Sequence, residues 1–189
     1  MLLSPVSDII RRRRSIYPPV YKDTPISDEV ILEILENANW APTHKMTQPW
    51  RFSVIRGEKL TFVKDYIGQY YKDNAGQEYS ELKYHKMTGN IEKSACIIAI
   101  GMHRDSQDAV AEWEEMAAVA MAVQNMWLTC ASLGIGAYWG TSAAARSAAT
   151  VVGFEEGVRC LGFFFMGYTS EENWPKSKRS AIQNHVKWL

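Results

Sequence analysis

Between Trp40 and Trp50 the chain runs Ala41-Pro42-Thr43-His44-Lys45-Met46-Thr47-Gln48-Pro49, a set of side chains able to hold a planar aromatic guest. Pro42 and Pro49 each fix their own φ and turn the preceding residue away from helix, so the segment is held extended at both ends. Trp40 and Trp50 offer ring faces, Thr43, Thr47 and Gln48 offer hydrogen bonds, and Lys45 offers a charge. The rival use of the tryptophans is the core, and for Trp50, next to the strand-like Phe52-Ser53-Val54-Ile55, that use has the stronger claim. A histidine here invites assignment as a catalytic acid. A neutral imidazole can equally satisfy a loop carbonyl, and protons can come from water, so His44 is assigned to binding.

The second chemical feature is Arg11-Arg12-Arg13-Arg14-Ser15, closing a short helix that begins near Pro5. Arginines in a last turn complement the helix dipole. Successive helical residues point about 100° apart, so at most two of the four converge on one ligand. Two guanidinium forks and a serine hydroxyl make a dianion site. The other two arginines are expected to be solvated or paired with carboxylates.

These groups need positioning elements. Ser27 is an N-cap, Asp28 and Glu29 fill a first turn, and Val30, Ile31, Ile34, Leu35 and Ala38 form one apolar face leading into the binding loop. Residues 51–55 read as a strand, Gly57 as its turn and 58–71 as a helix. The polar, tyrosine-rich stretch 72–87 shows no clear period and is expected to be a mobile lid. Residues 95–101 and 160–167 are continuous apolar runs suited to buried strands. Between them a helix is expected over 106–133, about 40 Å long if unbroken. Its middle, Met116-Ala117-Ala118-Val119-Ala120-Met121-Ala122-Val123, has no polar face, and one small domain can hardly surround such a helix. A dimer through that helix is therefore expected. The tail from Thr169 has no clear period but ends in Val186-Lys187-Trp188-Leu189, which should dock on something.

The chain has 189 residues, enough for one domain, taken as 1–189, and few for two. Its 21 acidic and 21 basic residues argue against nucleic acid or an anionic membrane as the main partner. Cys96, Cys130 and Cys160 are far apart and set among apolar residues, as expected of buried thiols in a reducing, cytoplasmic compartment, and no metal site is expected. Met1-Leu2-Leu3 is too short an apolar run for a signal peptide, and no stretch is long and uncharged enough for a membrane span. No Gly-x-Gly-x-x-Gly follows a strand, since Gly134-Ile135-Gly136 breaks that spacing at Trp139. A resident dinucleotide is therefore not expected.

Four elements in order resemble the nitroreductase family of FMN-dependent oxidoreductases: Arg13-Arg14-Ser15; Ala41-Pro42 through Gln48-Pro49-Trp50; Gly134-Ile135-Gly136-Ala137-Tyr138-Trp139-Gly140; and Gly167-Tyr168 followed by the basic tail Pro175-Lys176-Ser177-Lys178-Arg179. The resemblance spans nearly the whole chain. It implies an α+β fold with a mainly antiparallel sheet flanked by helices, in a homodimer whose C-terminal arms are exchanged. It also implies bound FMN at the subunit interface, with NAD(P)H as a transient hydride donor. Arg13, Arg14 and Ser15 would meet the FMN phosphate and ribityl end, joined by Lys178 or Arg179, between which the spacing does not choose. Trp139, Gly140 and Thr141 would line the ring, where a backbone N–H can reach N5. Pro42, Thr43, His44 and Met46 would reach the partner's flavin, and Trp40, His44, Met46 and Trp139 would form the substrate pocket. Tyr17 departs from the family, many of whose members carry Arg or Lys there; Lys45 is a weak substitute.

Three readings follow: an NAD(P)H-dependent FMN reductase of nitro or other electron-poor compounds with no catalytic side chain of its own; a relative performing enone reduction, dehalogenation or flavin breakdown; and a nonenzymatic module binding an anionic partner. The neutral charge balance weighs against the last, which also leaves the aromatic loop without a role.

Overall fold

The computed structural model describes residues 4–107 and 109–189. Met1-Leu2-Leu3, and Asp108 within the expected long helix, lie outside the described residues. In chain order come α1 (Pro5–Arg12), α2 (Asp28–Asn39), β1 (Trp50–Ile55), α3 (Glu58–Ala75), α4 (Glu81–Glu92), β2 (Cys96–His103), α5 (Glu112–Ser132), β3 (Ile135–Gly140), α6 (Ala143–Arg146) and β4 (Val158–Tyr168). The strands form one sheet in the order β1-β2-β4-β3, each neighbouring pair antiparallel. The α+β architecture with an antiparallel sheet is thus the one expected.

The two apolar runs become the central strands, where both faces must be covered. Ile98, Ile100, Met102, Phe164 and Met166 face α2 and α5, while Ile97, Ala99, Phe163 and Phe165 face α3, α4 and α6. Each such side chain, fully buried, contributes about 2 kcal/mol, so the doubly covered β2 and β4 anchor the layers. Cys96, Cys130 and Cys160 are buried free thiols, as expected. Trp50 belongs to the core and donates to Asn39 Oδ1 at 3.1 Å.

Two expectations are corrected. The stretch 72–87 is helical and not an irregular loop: α3 continues to Ala75, Gly76 breaks the helix at φ +50°, and Ser80 caps α4 by accepting from Lys83 N–H at 3.4 Å. Tyr71 and Tyr79 stack at 5.5 Å and Lys72 lies over the Tyr84 ring at 4.6 Å, so these helices meet ring on ring and cation on ring. Apolar periodicity does not register such contacts. The long helix is α5 alone, about 31 Å long, because residues before it turn around the buried Glu115, which accepts from Asp105 N–H at 2.9 Å and pairs with Arg104. The end of the tail, Trp188 and Leu189, stands exposed on this chain.

Gly162 adopts φ +125° opposite the register shift between Ile100 and Gly101. A Cβ there would run into the Gly140 carbonyl. Gly162→Ala is expected to lose stability on the order of 3 kcal/mol, read as a fall in Tm by circular dichroism; an unchanged Tm would mean that β3 and β4 can move apart at no cost.

Candidate functional site

The chain leaves α1 at Arg13 in an extended conformation and runs beside the open edge of β3. Ser15 forms a parallel bridge to Ala137, and Ile16 N–H donates to the Ala137 carbonyl at 3.0 Å. Trp127 of α5 pins this junction, its Nε1 donating to the Arg14 carbonyl at 3.1 Å and to the Ala137 carbonyl at 3.0 Å.

The four arginines then separate by function. Arg12 donates to the Ala131 carbonyl at 3.1 Å, which corrects the expectation of a carboxylate partner or plain solvation. Arg14 spends its guanidinium on backbone carbonyls, those of Pro175 at 2.9 Å and Arg13 at 2.8 Å among them, and so straps the tail to the end of α1. Arg13 lies over the Trp127 ring, 4.8 Å from its centroid. Burial holds its pKa below the ordinary value, reinforced by Arg14 and Arg179. The charge of Arg179, on the tail that Arg14 straps, thus reaches Arg13. Among the described residues no carboxylate pairs with Arg13, Arg14 or Arg179. Converging guanidiniums without a counter-ion are chemically suited to a dianion.

At the other end of β3, Gly140 and Thr141 lead into α6, capped by Ser142 Oγ accepting from Ala145 N–H at 3.2 Å. Trp139 turns to the α2–α5 side of the sheet. Its Nε1 is buried with no hydrogen-bond partner, unlike any other buried polar side-chain atom among the described residues. Beside Gly140 and Ser142 opens a cavity of about 90 Å³, lined also by Tyr138, Asn90 and Met87. A neighbouring one of about 210 Å³ shares Met87 and Ser142 and adds Tyr70, Tyr71 and Lys83. The sequence reading missed Met87, Asn90, Tyr138 and Ser142 as lining residues. Tyr138 and Ser142 lie in or beside a motif already singled out, but Met87 and Asn90 belong to α4, whose inward face cannot be drawn while its stretch is read as a loop. A larger cavity, about 580 Å³, lies between Pro19–Lys22 and Glu92–Ser94 and contains none of the expected residues.

The loop 40–50 occupies a different place. Lys45, Met46 and Gln48 all have positive φ, at 49°, 56° and 43°, each a strained conformation for a side-chain-bearing residue. Side chains hold it there: Thr43 Oγ1 accepts from Gln48 N–H at 3.1 Å, Lys45 donates to the Ala109 carbonyl at 2.9 Å, and His44 Nδ1 lies 3.1 Å from Glu114 Oε1. The His44 pair in turn holds the Glu114 carboxyl below its ordinary range. His44 thus meets a carboxylate and not a loop carbonyl, and Lys45 is committed to a carbonyl. Met46 is exposed, and Trp40, also exposed, donates to Glu36 at 2.9 Å without lining any of these cavities. Tyr17 rests on Tyr138, ring centroids 4.7 Å apart.

The loop is anchored at Glu114 and the arginines at Trp127, both on α5. Thirteen residues of helix place these anchors about 20 Å apart. One chain therefore brings the arginine end beside β3 but holds the loop about 20 Å along α5 from it.

Residues 10–168 match the sequence profile of the nitroreductase family. YfhC of Bacillus subtilis, named as a candidate NAD(P)H nitroreductase, is 26% identical over 185 residues, covering 96% of this chain and 92% of that protein. A nitroreductase-like family protein from Bacillus cereus superposes with a TM-score of 0.80 at 21% identity, over 100% of this chain and 98% of its own. A candidate nitroreductase from Desulfovibrio desulfuricans, crystallised with FMN, gives 0.75 at 25% identity over 100% and 99%. With four motifs in order, the sheet they belong to and a profile spanning most of its length, the chain is a member of the nitroreductase family.

Proposed function

We propose that this protein is an FMN-dependent oxidoreductase that takes hydride from NAD(P)H and delivers it to nitroaromatic or other electron-poor substrates. The observation that carries this reading is the arginine cluster without a carboxylate, at one end of a strand whose other end opens into an aromatic-lined cavity. The Desulfovibrio relative solved with FMN supports it. Arg13 and Arg179 would grip the phosphate with Ser15 beside them, while Arg14 keeps the tail in place. About 10 Å of strand separates Ala137, beside Ser15, from Gly140, a span for the ribityl chain. Trp139, Gly140 and Thr141 would line the ring, with a backbone N–H of this segment directed at N5. Bound FMN supplies the hydride chemistry, so these residues need only bind, orient and exclude water.

The distance between loop and cluster calls for a second copy of the chain. Helix α5 buries Ala118, Val119, Ala122 and Val123 inward, yet Trp113, Ala120 and Met121 remain exposed along its outer side. Pairing that stripe with itself about a two-fold axis would set the helices antiparallel and carry Pro42, Thr43, His44 and Met46 of one subunit to the flavin of the other. The exposed C-terminal arm with Trp188 would cross in the same assembly. Trp40, His44 and Met46 from one subunit and Trp139 from the other would then form one substrate pocket.

Arg13→Glu should yield a colourless protein whose circular-dichroism melt matches that of the FMN-free parent, since the position is a helix end and not core; yellow protein with undiminished FMN would show the phosphate assignment to be wrong. Light scattering of the parent at micromolar concentration should give a dimer, and Ala120→Arg, which buries an unpaired charge, should break it; a flavin-bound parent monomer would defeat the interface. Initial rates varied in both NAD(P)H and oxidant should give parallel double-reciprocal lines, because one pocket receives the two guests in turn, whereas intersecting lines would require both to be bound together.

A further inference from the structure

On the sheet face turned toward α3, α4 and α6, Tyr138 lies flat against Phe165, ring centroids 4.6 Å apart and planes 8° apart. Its hydroxyl is 3.2 Å from the side-chain amide of Asn90, and both residues line the 90 Å³ cavity beside Gly140. Asn90 is itself buried. A phenol and a carboxamide joined by one hydrogen bond keep a donor and an acceptor between them. If the amide donates to the phenol oxygen, the phenol O–H and the amide carbonyl remain. With the amide turned over, the phenol oxygen and an amide N–H remain. Among the described residues the two groups have no other partner. Burial pushes the phenol pKa up to about 12, so it keeps its proton at neutral pH.

The remaining walls of the cavity, including Ile67, Met87 and Phe163, are apolar apart from Gly140 and Ser142, whose hydroxyl caps α6. In such surroundings an unmet donor or acceptor is costly, so the pair favours a guest edge that answers both and disfavours hydrocarbon. We propose that Tyr138 and Asn90 together recognise the –CO–NH– edge of a planar guest, an amide or imide unit entering the cavity past Gly140. This rests on the flavin reading above and adds to it the group that sets the guest's orientation. Two guests of that reading carry such an edge: the pyrimidine side of the flavin and the carboxamide of nicotinamide.

Two variants separate the possibilities. Tyr138→Phe keeps the ring against Phe165 and removes the hydroxyl; Asn90→Asp keeps the shape and replaces the amide donor with a second acceptor. Apoprotein is titrated with FMN, followed by quenching of flavin fluorescence, and FMN-loaded protein with nicotinamide, followed by flavin absorbance. In variants that melt like the parent, affinity for one of the two ligands should fall about tenfold, the worth of one hydrogen bond. Loss for FMN identifies the flavin edge as the guest, and loss for nicotinamide with FMN unchanged identifies the carboxamide. Unchanged affinity for both, on a parent that binds FMN, overturns the proposal and leaves the flavin reading standing. A parent that binds neither ligand overturns both.

Discussion

Helix α5 is apolar around more of its circumference than one domain covers, and the placement of every functional group follows from how that surplus is disposed. Its inward stripe seals the sheet face carrying Phe164 and Met166. At one end Trp127 uses a single N–H to hold the Arg14 and Ala137 carbonyls together. At the other, Glu114 and Glu115 organise the binding loop and the turn before the helix. The outer stripe remains as a surface. A rod with separate anchors at its two ends cannot bring both into one small site, so in the dimer proposed above the feature that makes the core would also divide the site between two copies.

The binding loop shows the complementary economy of strain. Three side-chain-bearing residues with positive φ cost free energy that the loop's own sequence does not recover. His44 and Lys45 supply restraint through Glu114 and Ala109, outside the strained segment, and Thr43 through the N–H of the strained Gln48 itself. A loop held in this way exposes Met46 in a fixed direction and loses little further entropy when a ligand arrives.

Much of this was legible in the sequence, for physical reasons that differ by element. The buried strands announced themselves because a surface covered on both faces must be apolar without interruption, as in Ile97-Ile98-Ala99-Ile100. The cap at Ser27 and the proline-bounded loop were local signals with local causes. The helix over 81–92 was hidden because its packing rests on tyrosine rings and lysine stems, which a hydrophobic period counts as polar. That omission removed Asn90 and Met87 from the site. The path of the basic tail past α1 was invisible for another reason: it depends on Arg14 gripping a carbonyl 161 residues away, a contact no spacing rule contains.

The arginine end also fixes how the site responds to pH. Burial and two neighbouring cations lower the Arg13 pKa, so its protonated form is less favoured in the folded chain than in the unfolded one. That cost is present at every pH below the folded pKa, and from a starting value as high as arginine's this covers the whole physiological range. The cluster therefore stays charged and offers no protonation switch of its own. A dianion bound there relieves the repulsion that folding has built in, and by mass action it stabilises the fold that assembles the cluster. With the FMN phosphate held there as proposed, its second ionisation near pH 6 would tighten the grip as pH rises through that value while the arginines keep their charge.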